Sequence, residues 1–411
     1  MRSLIPGLIV HAHASPASRA LLQVVKPTYT NPLFTETVDS IKRKYTETID
    51  LSRRWATSGR FDPYSATETC AGIDGPISLG AIKMASDHMV RMDATILGDG
   101  ATSQKVEVTY RLRCGGPDFV EYILSNVVSE KIKGAPKMLC VSPLVGWNRT
   151  RPKKIPLAAW GVSGTSRCHK VQFIVSEVTG PLLKGFVDKE EVFGVERFKG
   201  VLSFGVKLIQ LLKALHEMGI VHNKVNEDNV AFRYRDDGLY GFNGDPVDVI
   251  LKNYDHAVFY PDNDVVWSSA DAVYASPWIL DEARESRIRS EPRDDVYCAL
   301  ELIANILSRN GMRKAFQRLK REDPRTLAII KSKANAEHLF DKDPRMSDDE
   351  PLLWRNIYEL HKIEDSGIIE SMEGVFKDMM TELLGSSEDG PVDYDQIIVQ
   401  LETVGTFLAH S

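Results

Sequence analysis

Apolar residues recur every three or four positions in two segments of the second half of the chain. One segment runs from Phe198 to Leu215, shortly before Gly219, and the other runs from Val296 to Leu307. This spacing places apolar side chains along one face of a helix, and glycine commonly follows the last helical residue. The pattern therefore predicts two buried helices.

The first half of the chain alternates polar and apolar residues instead. The alternation is clearest at residues 105–110, within a glycine-punctuated stretch at residues 70–112. Because successive side chains of a strand face opposite sides of a sheet, this stretch predicts a small strand-rich lobe. Apolar spacings of three and four at residues 119–127 predict one helix lying on that sheet. Further short strands are predicted at residues 171–175, Ile220–Val221 and Val249–Leu251.

These elements predict an α+β architecture with two lobes. We expect residues 70–175 to form the strand-rich lobe, with antiparallel strands and one helix, and residues 176–405 to form a larger, mainly helical lobe. Residues 1–69 are polar and interrupted by prolines, which predicts an extension that is partly disordered or helical. Residues 406–411 are expected to form a tail.

Composition excludes several classes of protein. The chain has 411 residues, of which 43% are hydrophobic and 26% charged, as in globular proteins and unlike collagen-like or disordered chains. Its 51 basic and 57 acidic residues give a net charge of −6, which argues against nucleic acid as a partner. The five cysteines form no Cys-x-x-Cys pair, and no apolar run reaches the ~18 residues that a transmembrane helix needs.

The first residues leave two compartments open. A short apolar run follows Arg2, and the small-x-small pattern that ends at Ala14 is similar to the cleavage site of a signal peptide. Pro6 interrupts this run, so we expect a cytoplasmic or nuclear protein. Secretion is the alternative, if the segment from Met1 to Ala14 is a signal peptide.

Residues 215–230, with the sequence LHEMGIVHNKVNEDNV, resemble the catalytic loop of eukaryotic protein kinases. In that family a helix ends at Leu-His-x-x-Gly, and the chain continues as Val-His-Arg-Asp-Leu-Lys-Pro-x-Asn-Val. Residues 249–257, VILKNYDHA, lie where the family has a strand and its metal-binding Asp-Phe-Gly turn. Residues 173–180, FIVSEVTG, resemble the hinge strand that joins the two lobes.

Three further fragments are similar to the casein-kinase-one and vaccinia-related kinase group. They are a Tyr-Ala-Ser segment at residues 274–276, an Arg-Asp-Asp helix start at residues 293–295, and a terminal Pro-x-Asp-Tyr turn at residues 391–394. The combined match covers residues 75–405 and implies a bilobal protein-kinase-like fold. It also implies that Asp295 anchors the catalytic loop by accepting backbone N–H groups.

The resemblance fails at the positions that carry phosphoryl transfer. A kinase needs an Asp to accept the substrate proton, and an Asp and an Asn to hold magnesium. In the loop His222, Asn223, Lys224, the proton-accepting position is Lys224, an ammonium group that cannot accept a proton at neutral pH. Asn226 replaces the catalytic-loop lysine. His222 is expected to brace the loop through backbone hydrogen bonds.

The metal-binding positions are also degenerate. Asn253 stands where the Asp of the Asp-Phe-Gly turn is expected, which removes the negative charge that favours a hard dication. Asn229 is retained and also has the structural interpretation of capping the loop. An alignment shifted by two residues would give the metal role to Asp255. Lys224 has the structural interpretation of pairing with Asp228 or Asp255.

The small lobe departs from the family as well. After Leu79 and Gly80, residues 81–87 contain no second glycine for a phosphate-covering loop. In the strand where the family has its phosphate-orienting lysine, the candidate residue of this chain is Arg111, with Glu121 or Glu130 as its helix partner. The resemblance thus implies a vestigial nucleotide cleft, whose candidate residues are Arg111, Glu121, Glu177, Asn229, Asn253 and Asp255.

The sequence therefore predicts a pseudokinase, a kinase-like regulator or scaffold that binds proteins. No catalytic residue is intact at His222, Asn223, Lys224 and Asn226, and we expect no metal and no cofactor, although residual ATP binding stays open. A protein partner is expected, with an active kinase or its substrate as examples. The alternative is an atypical ATP-dependent Ser/Thr protein kinase that uses Asp255 or Asp228 with rearranged metal ligands.

Overall fold

The computed structural model describes a defined set of segments. Several predicted features lie outside them, namely the N-terminal extension, the helix at residues 119–127, and the candidate residues Glu121, Glu130 and Asp255. The described residues are 77–85, 89–97, 103–113, 128, 131–141, 145–146, 170–187, 194–238, 240–242, 248–254, 257–259, 264–265, 275–276, 279–280, 288–289, 291–308, 361, 363, 367, 374–375, 378–379, 383 and 392–408.

A six-stranded antiparallel sheet forms the first lobe. Its strand order is β1-β2-β3-β6-β4, and β5 also pairs with β6. The strands are β1 (Ile77–Ala85), β2 (Met89–Leu97), β3 (Ser103–Arg113), β4 (Met138–Val141), β5 (Val145–Gly146) and β6 (Lys170–Glu177).

The two faces of this sheet differ in chemistry. Met92, Val108 and Val175 lie side by side in register and form part of an apolar face. The residues next to them along each strand point to the other face of the sheet. There the register places Glu107 opposite Asp93 of β2 on one side and opposite Ser176 of β6 on the other. Glu107 and Ser176 are nevertheless buried. A polar sheet face that is hidden from water must be covered by other polar groups.

The second lobe contains helices and short two-stranded sheets. The pairs are β7 with β10, β8 with β9, and β11 with β12. Its elements in chain order are α1 (Lys184–Val187), α2 (Val195–Glu217), β7 (Ile220–Val221), β8 (Val230–Phe232), β9 (Val249–Leu251), β10 (Val258–Phe259), β11 (Asp264–Val265), β12 (Ile288–Arg289), α3 (Pro292–Leu307) and α4 (Tyr394–Phe407).

The long helix α2 packs against both α3 and α4 and forms the centre of the core. The two buried helices predicted in the second half of the chain are confirmed, as are the strands predicted near residues 171, 220 and 249. Helix α2 ends before Gly219, whose φ of 72° lies in the left-handed region. Gly205 lets α2 approach α3, since a Cβ there would lie 2.6 Å from the Cδ1 of Ile303. Among the described residues, no helix combines the length and apolarity that a membrane crossing requires.

Candidate functional site

The loop that resembles the kinase catalytic loop is held by the first turn of α3. The carboxylate of Asp295 is fully buried and accepts hydrogen bonds from the backbone N–H of His222 at 2.6 Å and of Asn223 at 2.8 Å. Asn223 has a φ of 62°, a left-handed conformation that asparagine tolerates well. The anchoring role expected for Asp295 is confirmed.

His222 braces the loop through both ring nitrogens. Its Nδ1 accepts a hydrogen bond from the backbone N–H of Lys224 at 3.2 Å, so its proton resides on Nε2. Nε2 then donates to the carbonyl oxygen of Lys252 at 2.9 Å. The ring also packs edge-on against Tyr254, with 4.9 Å between ring centroids. His222 thus joins the loop to the segment after β9 through backbone hydrogen bonds, as the sequence analysis predicted.

The two asparagines that align with the metal ligands of kinases are joined by a hydrogen bond. The Nδ2 of Asn253 donates to the Oδ1 of Asn229 at 2.6 Å. The Nδ2 of Asn229 donates to the carbonyl oxygen of Lys224 at 2.9 Å, which confirms the capping role expected of Asn229. Asn253 adopts a left-handed φ of 62°. In this geometry two neutral amides face one another. The turn that contains Asn253 therefore lies next to the loop that contains Asn229.

The acidic candidates of the rival kinase mechanism lie elsewhere or outside the described residues. Asp228 is exposed and forms an ion pair with Lys184 of α1, 2.9 Å away. The side chain of Asn226 accepts a hydrogen bond from the backbone N–H of Asp228 at 3.1 Å, which closes a local turn. Asp255 is outside the described residues. The structure therefore brings Asn229 and Asn253 together, and it places Asp228 at the surface.

A buried charge cluster, which the sequence analysis missed, covers the polar face of the sheet. The Nζ of Lys252 donates to the Oε1 of Glu107 and to the Oγ1 of Thr179, each at 2.8 Å. The Nε of Arg91 lies 3.3 Å from the same Oε1, as an ion pair rather than an aligned hydrogen bond. Arg91 Nη2 makes a long contact of 3.5 Å with the Oδ1 of Asn253. No more than 5% of Arg91, Glu107, Thr179 or Lys252 is exposed.

Burial and mutual contact set the protonation of this cluster. Burial, together with the nearby positive charge of Arg91, lowers the pKa of Lys252 to about 8, although Glu107 opposes this shift. Burial alone would raise the pKa of Glu107, but Lys252 and Arg91 outweigh it, so this pKa is lowered. At neutral pH the cluster contains two cations and one carboxylate.

Two further candidates for the predicted cleft lie on strands of the sheet. Glu177 is at the end of β6, on the sheet face opposite Ser176, and its Oε1 is 3.9 Å from Nη1 of Arg233. Arg111 lies on β3, in register with Met89 and Gln172, four positions beyond Glu107. Its proposed role stays a prediction. The sequence offered one signal that could have drawn attention to Lys252. This residue directly precedes Asn253, which aligns with the Asp of the Asp-Phe-Gly turn.

Comparisons with known proteins identify the fold. No family model matches the chain, and no curated protein matches its sequence. The solved structure of vaccinia related kinase 3 is similar, with a TM-score of 0.52 and 14% sequence identity. The match covers 84% of this chain and 91% of that chain.

The chain has a protein-kinase-like fold. At this identity the likeness shows the fold alone. The predicted fold class, an α+β bilobal arrangement with an antiparallel sheet and a mainly helical second lobe, is confirmed. The boundaries expected for the two lobes stay a prediction.

Proposed function

We propose that this protein is a pseudokinase of the casein-kinase-one and vaccinia-related kinase group. Its kinase fold is impaired in phosphoryl transfer, and it acts as a regulator or scaffold that binds another protein. The hydrogen bond between Asn229 and Asn253 is the single observation that carries this proposal. It supports the alignment in which both metal-ligand positions carry neutral amides.

Phosphoryl transfer depends on charge at these positions. Magnesium neutralises the charge that develops on the transferred group, and carboxylate oxygens hold the metal. In this chain the Oδ1 of Asn229 accepts a hydrogen bond from Asn253. A dication would have to break that bond and would gain two uncharged ligands.

The proton acceptor is missing as well. Lys224 occupies the position of the catalytic carboxylate, and a protonated amine has no lone pair to accept the proton of a substrate hydroxyl. Loss of a general base alone costs about 10²–10⁴ in rate. Together with the weakened metal site, this loss favours a binding function.

The proposal is tested by nucleotide binding and phosphate transfer on the full chain. We expect no magnesium-dependent or manganese-dependent rise in melting temperature with ATP, and no radiolabel transfer to the protein itself or to a generic acceptor protein. Metal-dependent stabilisation, with label incorporation that Asn253→Ala and Asp255→Ala each abolish, would establish the rival function of an atypical Ser/Thr kinase.

The binding function itself needs a partner. We expect the natural partner to be a protein, such as an active kinase or its substrate. Affinity purification followed by mass spectrometry should identify a partner whose binding persists when ATP and magnesium are removed. A partner that is retained only with both would contradict a nucleotide-independent binding role.

A further inference from the structure

One lysine side chain connects three separate parts of the fold. Lys252 follows β9 in the second lobe, Glu107 lies in the middle of β3 in the sheet of the first lobe, and Thr179 lies in the segment that leaves the sheet after β6. Both contacts of the Nζ atom are 2.8 Å long. The Lys252 side chain therefore links the first lobe, the second lobe and the connection between them.

The contact of Lys252 with Glu107 and Thr179 is buried, so the ammonium group needs these partners in place of water. A charged group removed from water persists only where opposite charge and hydrogen bonds replace its hydration. Lys252 obtains this replacement from Glu107 and Thr179, while Arg91 provides a second cation for the shared carboxylate. Breaking one member leaves the others buried and incompletely compensated.

The backbone of Lys252 extends the linkage into the second lobe. Its N–H donates to the carbonyl oxygen of Asn229 at 2.8 Å, and its own carbonyl oxygen accepts the bond from His222. The side chain that reaches the first-lobe sheet is thus carried by a residue fixed to the loop at residues 222–229. A displacement of the sheet relative to Lys252 is transmitted to that loop.

We infer that Arg91, Glu107, Thr179 and Lys252 form an interlobe clasp, a buried charged contact between side chains of the protein that fixes the sheet of the first lobe on the loop of the second lobe. The clasp holds one relative orientation of the lobes, and with it one geometry of the loop. This inference does not depend on whether the protein transfers phosphate.

Hydrogen exchange on the full chain tests the clasp, because exchange reports opening region by region. In Lys252→Met, which keeps the length of the side chain and removes its charge, we expect amides of β2 and β3 in the other lobe to exchange at least about tenfold faster. Glu107→Gln should in turn accelerate exchange at residues 222–229. The double variant should show less than the product of the two accelerations, since each change removes the same contact.

A matched control separates the clasp from a general loss of stability. Lys213 forms an ion pair with Asp395 at 2.8 Å within the second lobe and at its surface, so Lys213→Met should leave exchange in β2 and β3 unchanged. If Lys252→Met does not fold, Thr179→Val removes one hydrogen bond at nearly constant volume and should give a smaller acceleration in the same strands. Faster exchange confined to residues 248–254 in the lysine or threonine variant would overturn the clasp, as would unchanged exchange throughout.

Discussion

His216 of α2 and Tyr394 of α4 share a hydrogen bond of 2.5 Å, although 178 positions separate them. Burial raises the pKa of the Tyr394 hydroxyl, so this hydroxyl stays protonated beside the Nδ1 of His216. The Nε2 of His216 then donates to Asp295 at 2.9 Å. The tyrosine of the C-terminal Pro-Val-Asp-Tyr segment is thereby linked to the carboxylate that holds the loop at residues 222–223.

Tyr394→Phe should destabilise the protein by about 1–2 kcal/mol, because it removes the hydrogen-bond partner of a buried ring nitrogen of His216. Denaturant unfolding followed by circular dichroism measures this change. Tyr234→Phe is the control, since the hydroxyl of Tyr234 is at the surface near Lys105, and its removal should change stability by less than about 0.5 kcal/mol. Equal losses in the two variants would show that the link to Asp295 contributes nothing.

Asp295→Asn should cost more, about 3 kcal/mol or above, because one buried carboxylate accepts bonds from two backbone N–H groups and from His216. An amide can accept only at its oxygen and directs N–H groups at other donors. Chemical unfolding gives the size of the loss. The surface variant Asp395→Asn should lose less than about 1 kcal/mol, and a similar cost for both carboxylates would contradict the anchoring role of Asp295.

Gly200→Ala should lower the melting temperature by many degrees. A Cβ at Gly200 would lie 1.7 Å from the carbonyl oxygen of Phe242, a backbone atom that cannot rotate away. Relief of this overlap requires α2 to move from the segment at residues 240–242. Gly185→Ala is the matched control in another helix, because a Cβ there meets nothing within 4 Å, and its melting temperature should be unchanged or higher.

The pH dependence of stability should carry a signature of Lys252. Its pKa in the folded protein is about 8, below its ordinary value of 10.5. Between these two values the unfolded chain binds more protons at this group than the folded chain does, so the contribution of Lys252 to the free energy of unfolding rises with pH.

The signature is measured as a difference between two proteins. The free energy of unfolding of the natural protein minus that of Lys252→Met should increase from pH 8 toward 10.5, by at most about 1.4 kcal/mol per pH unit. The subtraction cancels the tyrosines that titrate in the same range. A flat difference over this window would show that the Lys252 ammonium is as well solvated in the folded protein as in the unfolded chain.

Restoration of the two missing acids should not create a robust kinase. In Lys224→Asp/Asn253→Asp the carboxylates return, but residues 81–87 still contain no glycine for a phosphate-covering loop, and an arginine, Arg111, is the residue proposed at the position of the family lysine. Radiolabel transfer from ATP should stay at the level of the natural protein. Appreciable transfer by a folded double variant would show that two acids alone separate this protein from an enzyme.

Sequence patterns were sufficient for the elements and for the loop anchor. The apolar stripes of α2 and α3 and the order of the kinase-like fragments predict where helices, strands and the catalytic-like loop lie, because periodicity and motifs are local properties of the chain. The same fragments also predict the roles of His222 and Asp295, because the kinase family that they resemble brings the catalytic loop and the start of this helix together.

Only the tertiary structure showed the buried charge cluster. Arg91 and Glu107 lie on the neighbouring strands β2 and β3, whereas Lys252 follows β9, and alternation along β3 alone does not say which charged residue is buried or what covers it. The role that the sequence analysis gave to Arg111 stays a prediction, and that analysis did not find the cluster around Glu107. Burial and the pairing of charges follow from how two lobes pack, and that packing joins Lys252 to Glu107, 145 positions away.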